Sequence, residues 1–193
     1  MFRNDVGLAE AGFLKDRFGA KPVTATPAGV ERLLRGGGFD LLHFAGHGAA
    51  RSDDIADAKV LLRGRRRGAT IREQYLSSTD VSQNVDWTDP GVTGPIVVFN
   101  ACQTGRSGEL FTTVGGFAKA FLDAGASAFV SCLWSVHEEP AQVFVETLYD
   151  ELLGGTPMSR ASALARAAAR DADDPTWLAY VVYARPDAVL EIV

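Results

Sequence analysis

The chain is poor in cysteine, histidine and methionine, with two, three and two of each in 193 residues. Two cysteines build neither a disulfide framework nor a four-thiolate zinc site. Neither is needed, because a chain of this length hides roughly 70% of its unfolded surface on folding. Long hydrophobic runs are missing too. The apolar run Pro95 to Phe99 falls far short of the roughly 20 residues that cross a bilayer. The first residues, Met1-Phe2-Arg3-Asn4-Asp5, lack the apolar stretch of a secretion signal. Positive charge is outweighed, 19 basic against 24 acidic residues, for a net charge of −5. A general nucleic-acid or anionic-membrane binder needs a basic face, so neither partner is expected. The expectation is a cytoplasmic chain. Fifteen of the 19 basic residues are arginine, a bias expected of a GC-rich bacterial genome and silent about function.

What is present is a folded composition, 47% hydrophobic and 22% charged, in which residues 1–193 read as one domain. Apolar residues at helical spacing predict a helix over Gly7 to Phe18, and Pro22 to Ala25 reads as a short strand. Thr26-Pro27 opens a second helix that stops at Gly36-Gly37-Gly38. Phe39 to Phe44, Pro95 to Phe99 and Ala128 to Trp134 are apolar without alternation, as strands buried on both faces are. The first is read as ending at Gly46-His47-Gly48. Helices are predicted over Val114 to Ala124, Glu138 to Leu153 and Met158 to Arg170, and a last strand over Trp177 to Tyr183. Residues 50–94 read as an insertion. They hold a small hairpin around Val60-Leu61-Leu62 with its turn at Arg63 to Gly68, then loop from Ser77 to Pro90. Strands alternating with helices predict an α/β fold, a mostly parallel sheet with helices on both faces.

In such sheets chemistry collects at the carboxyl ends of the strands. Just past three strand ends stand His47, Cys102 and the segment Trp134 to Glu139. A free thiol titrates near about 8.5 and attacks carbonyl carbon only as thiolate, so it needs a base or a positive charge beside it. His47, 55 residues upstream of Cys102 and flanked by glycines, is the candidate base. The amides of Gly48 and Cys102 are candidate donors to a tetrahedral oxyanion. A lone cysteine after an apolar strand is more often a small buried hydrophobe, and Cys132, inside a strand, is read that way. His43 is read as a packed or hydrogen-bonded core histidine, and no metal or other cofactor is called for. The order, histidine first and then Ala-Cys-Gln, is close to the caspase-type signature and the reverse of papain-like enzymes.

The sequence resembles the CHAT domain, a caspase-like peptidase module related to separase. The resemblance is carried by Asp40-Leu-Leu-His43-Phe-Ala-Gly46-His47-Gly48, Val97-Val-Phe-Asn100-Ala-Cys102-Gln-Thr-Gly105, Gly116-Phe-Ala-Lys-Ala-Phe121, Ala124-Gly-Ala126, Leu133-Trp134-Ser-Val136 and Trp177-Leu-Ala-Tyr180. It implies a three-layer caspase-hemoglobinase sandwich and a His47–Cys102 dyad that cleaves a protein or peptide substrate. It also implies an acidic residue after the Trp-x-Val segment that receives a basic P1 side chain, matching Glu138, with Glu139 and Trp134 beside it. Acidic residues at the start of a helix are stabilising in any case. Family members usually begin with a strand before the first helix and follow a repeat or sensor domain, so this chain is expected to be a piece of a longer protein. Two functions stand open at this point: an active endopeptidase, and a silent or latent interaction module that needs an activating protein.

Overall fold

The computed structural model describes residues 8–49, 59–67, 70–89, 91, 93–102, 110–134, 136–170 and 174–190. Strand β1 (Leu41–Ala49) is followed by β2 (Lys59–Arg67), β3 (Thr70–Ser77), β4 (Ile96–Cys102), β5 (Ala128–Cys132) and β6 (Tyr180–Ala184). They form one sheet in the order β3-β2-β1-β4-β5-β6. Strands β1, β4 and β5 run parallel, and β6 closes one side antiparallel to β5. This mostly parallel four-strand sheet carries helices on both faces, as an α/β sandwich does. The β2–β3 hairpin extends it on the other side, antiparallel to β1.

Period-two alternation divides the central strands between two cores. Val97, Phe99 and Phe129 enter one core with Phe117 and Phe121 of α4 (Leu110–Asp123), Leu34 of α2 (Pro27–Gly36) and Val81 of α3 (Ser78–Asn84). Its centre is aromatic, with Phe99 in ring contact with Phe44, Phe117, Phe121 and Phe129. Val98, Ala128, Val130 and Cys132 enter the other core with α5 (Glu138–Leu153), α6 (Met158–Ala168) and Leu14 of α1 (Leu8–Phe18). The last helix, α7 (Thr176–Ala179), is a single turn leading into β6. Close backbone approach fixes the entry to β4, since a Cβ on Gly94 would lie 1.7 Å from the carbonyl oxygen of Gly125. That carbonyl belongs to the turn between α4 and β5, where Gly125 itself takes φ +103°.

Several expectations need correction. Pro22 to Ala25 joins no strand; it leads into α2, whose N-cap Thr26 accepts from the Gly29 amide as expected. The first parallel strand does not stop at Gly46-His47-Gly48 but runs on to Ala49, because pairing with β2 takes over at Gly48↔Val60. Arg63 to Arg67 lie within β2 rather than in the turn, and Gly68 is outside the described residues. Ser77 to Asn84 is not loop. Ser77 caps α3 in a reciprocal box, its hydroxyl accepting from the Asp80 amide at 3.0 Å while Asp80 Oδ2 accepts from the Ser77 amide at 2.8 Å. The Ser/Thr/Asp composition that suggests a loop is here the chemistry of a helix start. Trp177 to Ala179 is the turn α7, and the last strand begins only at Tyr180.

Ser77→Ala should therefore lower stability by about 1 kcal/mol, the usual cost of losing an N-cap. Urea unfolding checks this, and a change within about 0.3 kcal/mol would mean that the cap carries no weight.

Candidate functional site

The parallel pairing of β1 with β4 runs from Leu41↔Ile96 to His47↔Cys102 without a break. His47 and Cys102 are thus Cα partners on neighbouring strands, at the last position of that pairing. Adjacent strands lie about 4.8 Å apart. The sequence separates the two residues by 55 positions and the topology makes them neighbours. Cys102 is the final residue of β4, and Gly48 follows His47 at the point where β1 leaves β4 for β2. The side chains of His47 and Cys102, and the motif residues Gln103, Thr104, Gly105 and Ser135, lie outside the described residues.

Beneath this pair is a set of buried polar side chains on the α1/α5 side of the sheet. Glu10 of α1 is 5% exposed, and its carboxylate reaches two strands. Oε2 lies 2.7 Å from His43 Nε2 on β1, and Oε1 accepts from Asn100 Nδ2 on β4 at 2.5 Å. His43 Nδ1 is 2.9 Å from the Tyr149 hydroxyl of α5, and the Tyr180 hydroxyl of β6 donates to Asn100 Oδ1 at 3.0 Å. Burial, and then the negative Glu10 carboxylate, push the Tyr149 phenol well above its ordinary value, so it stays protonated. With the His43 proton on Nε2, each donor in the chain meets an acceptor: Tyr149 gives to His43, His43 to Glu10, Asn100 to Glu10, and Tyr180 to Asn100. The reading of His43 as a hydrogen-bonded core residue holds. So does that of Cys132, which is 2% exposed, its thiol directed to the Ala101 carbonyl at 3.3 Å.

Sequence reading gave no role to Asn100, Tyr149 or Tyr180. The signals were there in part. Asn100 is a polar interruption of an apolar strand, and Glu10 stands four residues before the core residue Leu14 on a helix. Tyr149 is hidden within the apolar stripe of α5, where an aromatic reads as packing.

The third element of the site follows β5. Trp134 is half-buried against the α5/α6 core, and the Leu133 amide donates to the Ala179 carbonyl at 2.7 Å. Glu138 and Glu139 form the exposed first turn of α5, preceded by the N-cap His137. The segment is fastened to α7: the His137 amide donates to Thr176 Oγ1 at 3.0 Å, and His137 Nδ1 lies 2.5 Å from Asp174 Oδ2. Asp174 Oδ1 also accepts from the Thr176 amide at 2.7 Å. The sheet order sets the ends of β1, β4 and β5 side by side, so the three candidate elements share one edge. Among the described residues no group of three or more His, Cys, Asp or Glu is arranged to hold a metal, and no helix is long and apolar enough to cross a membrane.

A family model described as the CHAT domain matches residues 9–183. No curated protein matches the chain.

The bonds from Thr176, and the neighbouring His137, hold the Asp174 carboxyl below its ordinary value. A carboxyl depressed on folding contributes stability above its unfolded pKa and loses it as pH falls through the folded one. Titration of Asp174 followed by NMR should accordingly show a midpoint below that of a free aspartate. Thr176→Val should move it upward, and an unmoved midpoint would show that Thr176 does not hold it.

Proposed function

Since the chain belongs to the CHAT domain family, whose fold is related to caspase-like cysteine peptidases, we propose that it is a cysteine endopeptidase using His47 and Cys102. The observation that carries this reading is their register match at the end of the β1–β4 pairing. It supports the one arrangement that nucleophilic catalysis by a thiol requires, a base within reach of the sulfur.

In this reading His47 takes the Cys102 proton, and the thiolate attacks the scissile carbonyl carbon. A C–S bond forms, and the carbonyl π pair moves to oxygen. The amides of Gly48 and Cys102 donate to that oxyanion, and a donor of this kind is worth about 3 to 4 kcal/mol in acyl-transfer enzymes. Collapse of the intermediate breaks the C–N bond, with His47 protonating the departing amine. Water, deprotonated by the same imidazole, then attacks the thioester, which releases the carboxylic acid and restores Cys102. The atoms balance without a cofactor.

For the substrate we propose a basic P1 residue, Arg or Lys. Glu138 is its carboxylate partner, and Glu139 and Trp134 border the same segment. A carboxylate that pairs with a desolvated guanidinium or ammonium discriminates strongly against neutral and acidic side chains. The domain would serve as the effector part of a larger signalling or defence protein, upstream domains or an activating protein controlling access.

Turnover of a fluorogenic peptide library varied at P1 tests both levels. Peptides with Arg or Lys should be cleaved. His47→Ala and Cys102→Ala should each lower the rate by roughly a thousandfold or more. Glu138→Ala should lower turnover of basic peptides by about tenfold relative to the rest. Preference for Asp, or unchanged basic turnover in Glu138→Ala, would overturn the P1 assignment alone. Cleavage that persists in Cys102→Ala would overturn the peptidase itself, and an intact chain that cleaves nothing would favour the latent interaction module.

A further inference from the structure

Over their first residues β1 and β4 are apolar on both faces, with Leu41 opposite Ile96, Leu42 opposite Val97 and Phe44 opposite Phe99. A strand with one polar face is locked in register, because a slip of one residue turns its polar side chains inward. A strand apolar on both faces lacks that penalty over its apolar part. The His47↔Cys102 match, on which the proposed activity rests, therefore needs another source of register.

We propose that Glu10 is a positioning residue that fixes the register of β1 against β4 and, through it, the match of His47 with Cys102. Its two carboxylate oxygens accept from His43 on β1 and from Asn100 on β4. His43 stands four residues before His47, and Asn100 two before Cys102; in the pairing, Ala45 is opposite Asn100. His43, His47, Asn100 and Cys102 thus occupy positions of one parity, which a slip of one residue would break. A slip would also strand the Glu10 carboxylate, whose side chain is 6% exposed, without one of its two donors. An unpaired buried charge is among the costliest defects a fold can carry. Tyr149 and Tyr180 hold the two donors from outside, on α5 and β6. Apolar side chains of similar volume would fill the same space without this directional demand, so what the buried carboxylate adds is specificity of alignment.

This inference rests on the dyad reading, and alkylation separates the two. Iodoacetamide labelling at neutral pH, followed by mass spectrometry of the Cys102 and Cys132 peptides, reports both reactivity and folding, because Cys132 is 2% exposed and protected in the folded chain. His47→Ala should slow labelling of Cys102 by about tenfold or more. Glu10→Ala should slow it to a similar degree in the native background and leave it unchanged in the His47→Ala background, since misalignment matters only where there is a base to misalign. Glu10→Gln accepts from Asn100 and donates to the other tautomer of His43, and it should restore the rate to within about twofold of the native value. Equal slowing by Glu10→Ala in both backgrounds, or none in either, would overturn the positioning role. No effect of His47→Ala would instead overturn the dyad, and this inference with it. Where Glu10→Ala unfolds, seen as labelling of Cys132, Tyr180→Phe takes its place. That variant keeps the ring stacked on Phe144 and removes the hydroxyl that bonds Asn100. It should slow Cys102 about threefold, and an unchanged rate would overturn the proposal.

Discussion

The parallel pairing of β1 with β4 is the constraint on which the rest of the molecule depends. Each of these strands is lined on both sides by packed helices, and each delivers one member of the candidate pair to the same edge of the sheet. The aromatic cluster around Phe99 and the aliphatic core under α5 hold the sheet between them. Neither core selects which residue of β1 faces which residue of β4. Hydrophobic burial is non-directional. It makes the sandwich, and hydrogen bonds of fixed geometry must choose among its nearly equivalent alignments.

The buried chain from Tyr149 through His43, Glu10 and Asn100 to Tyr180 has that directionality. It draws on α5, β1, α1, β4 and β6, so one connected set of bonds joins the helical layer to three strands. Such a network is favourable only when every member is satisfied. The protonated Tyr149 phenol and the two-oxygen carboxylate meet that condition. Helix α1 is tied a second time at its far end by the exposed Arg17–Asp150 pair at 2.9 Å, which at such exposure adds little. Its attachment rests on Glu10, on Leu14 within the core, and on Phe13 and Phe18 packed against it.

Much of this was legible in the sequence. Uninterrupted apolar runs marked β4 and β5, Thr26-Pro27 marked the start of α2, and the span of α5 was readable from its acidic first turn and apolar stripe. The expected convergence of His47, Cys102 and Trp134 to Glu139 came from the strand-end rule, and the sheet order sets the ends of β1, β4 and β5 side by side. The errors have a common cause. Ser77, Asp80 and Asn84 suggested loop because residues that break helices in the middle are those that cap them at the ends. Arg63 to Arg67 suggested a turn because the run is turn-like in composition, with Gly64 in it and Gly68 just after it, whereas a hairpin strand near a sheet edge accommodates a glycine and charge without leaving the sheet. The bonds that Asn100, Tyr149 and Tyr180 make were not legible, since a bond between residues 90 or 106 positions apart leaves no periodic trace. The pairing of Glu10 with two strands is a property of the third dimension.

In the proposed mechanism the register-matched ends of β1 and β4 form one nucleophilic site. Covalent trapping tests it most directly, using a peptidyl acyloxymethyl ketone that ends in arginine, incubated with the native chain and with His47→Ala and read by mass spectrometry. The expected result is one adduct, on Cys102 and not on Cys132, lost or strongly slowed in His47→Ala. An adduct that forms equally well without His47, or one on Cys132, would contradict a His47–Cys102 site.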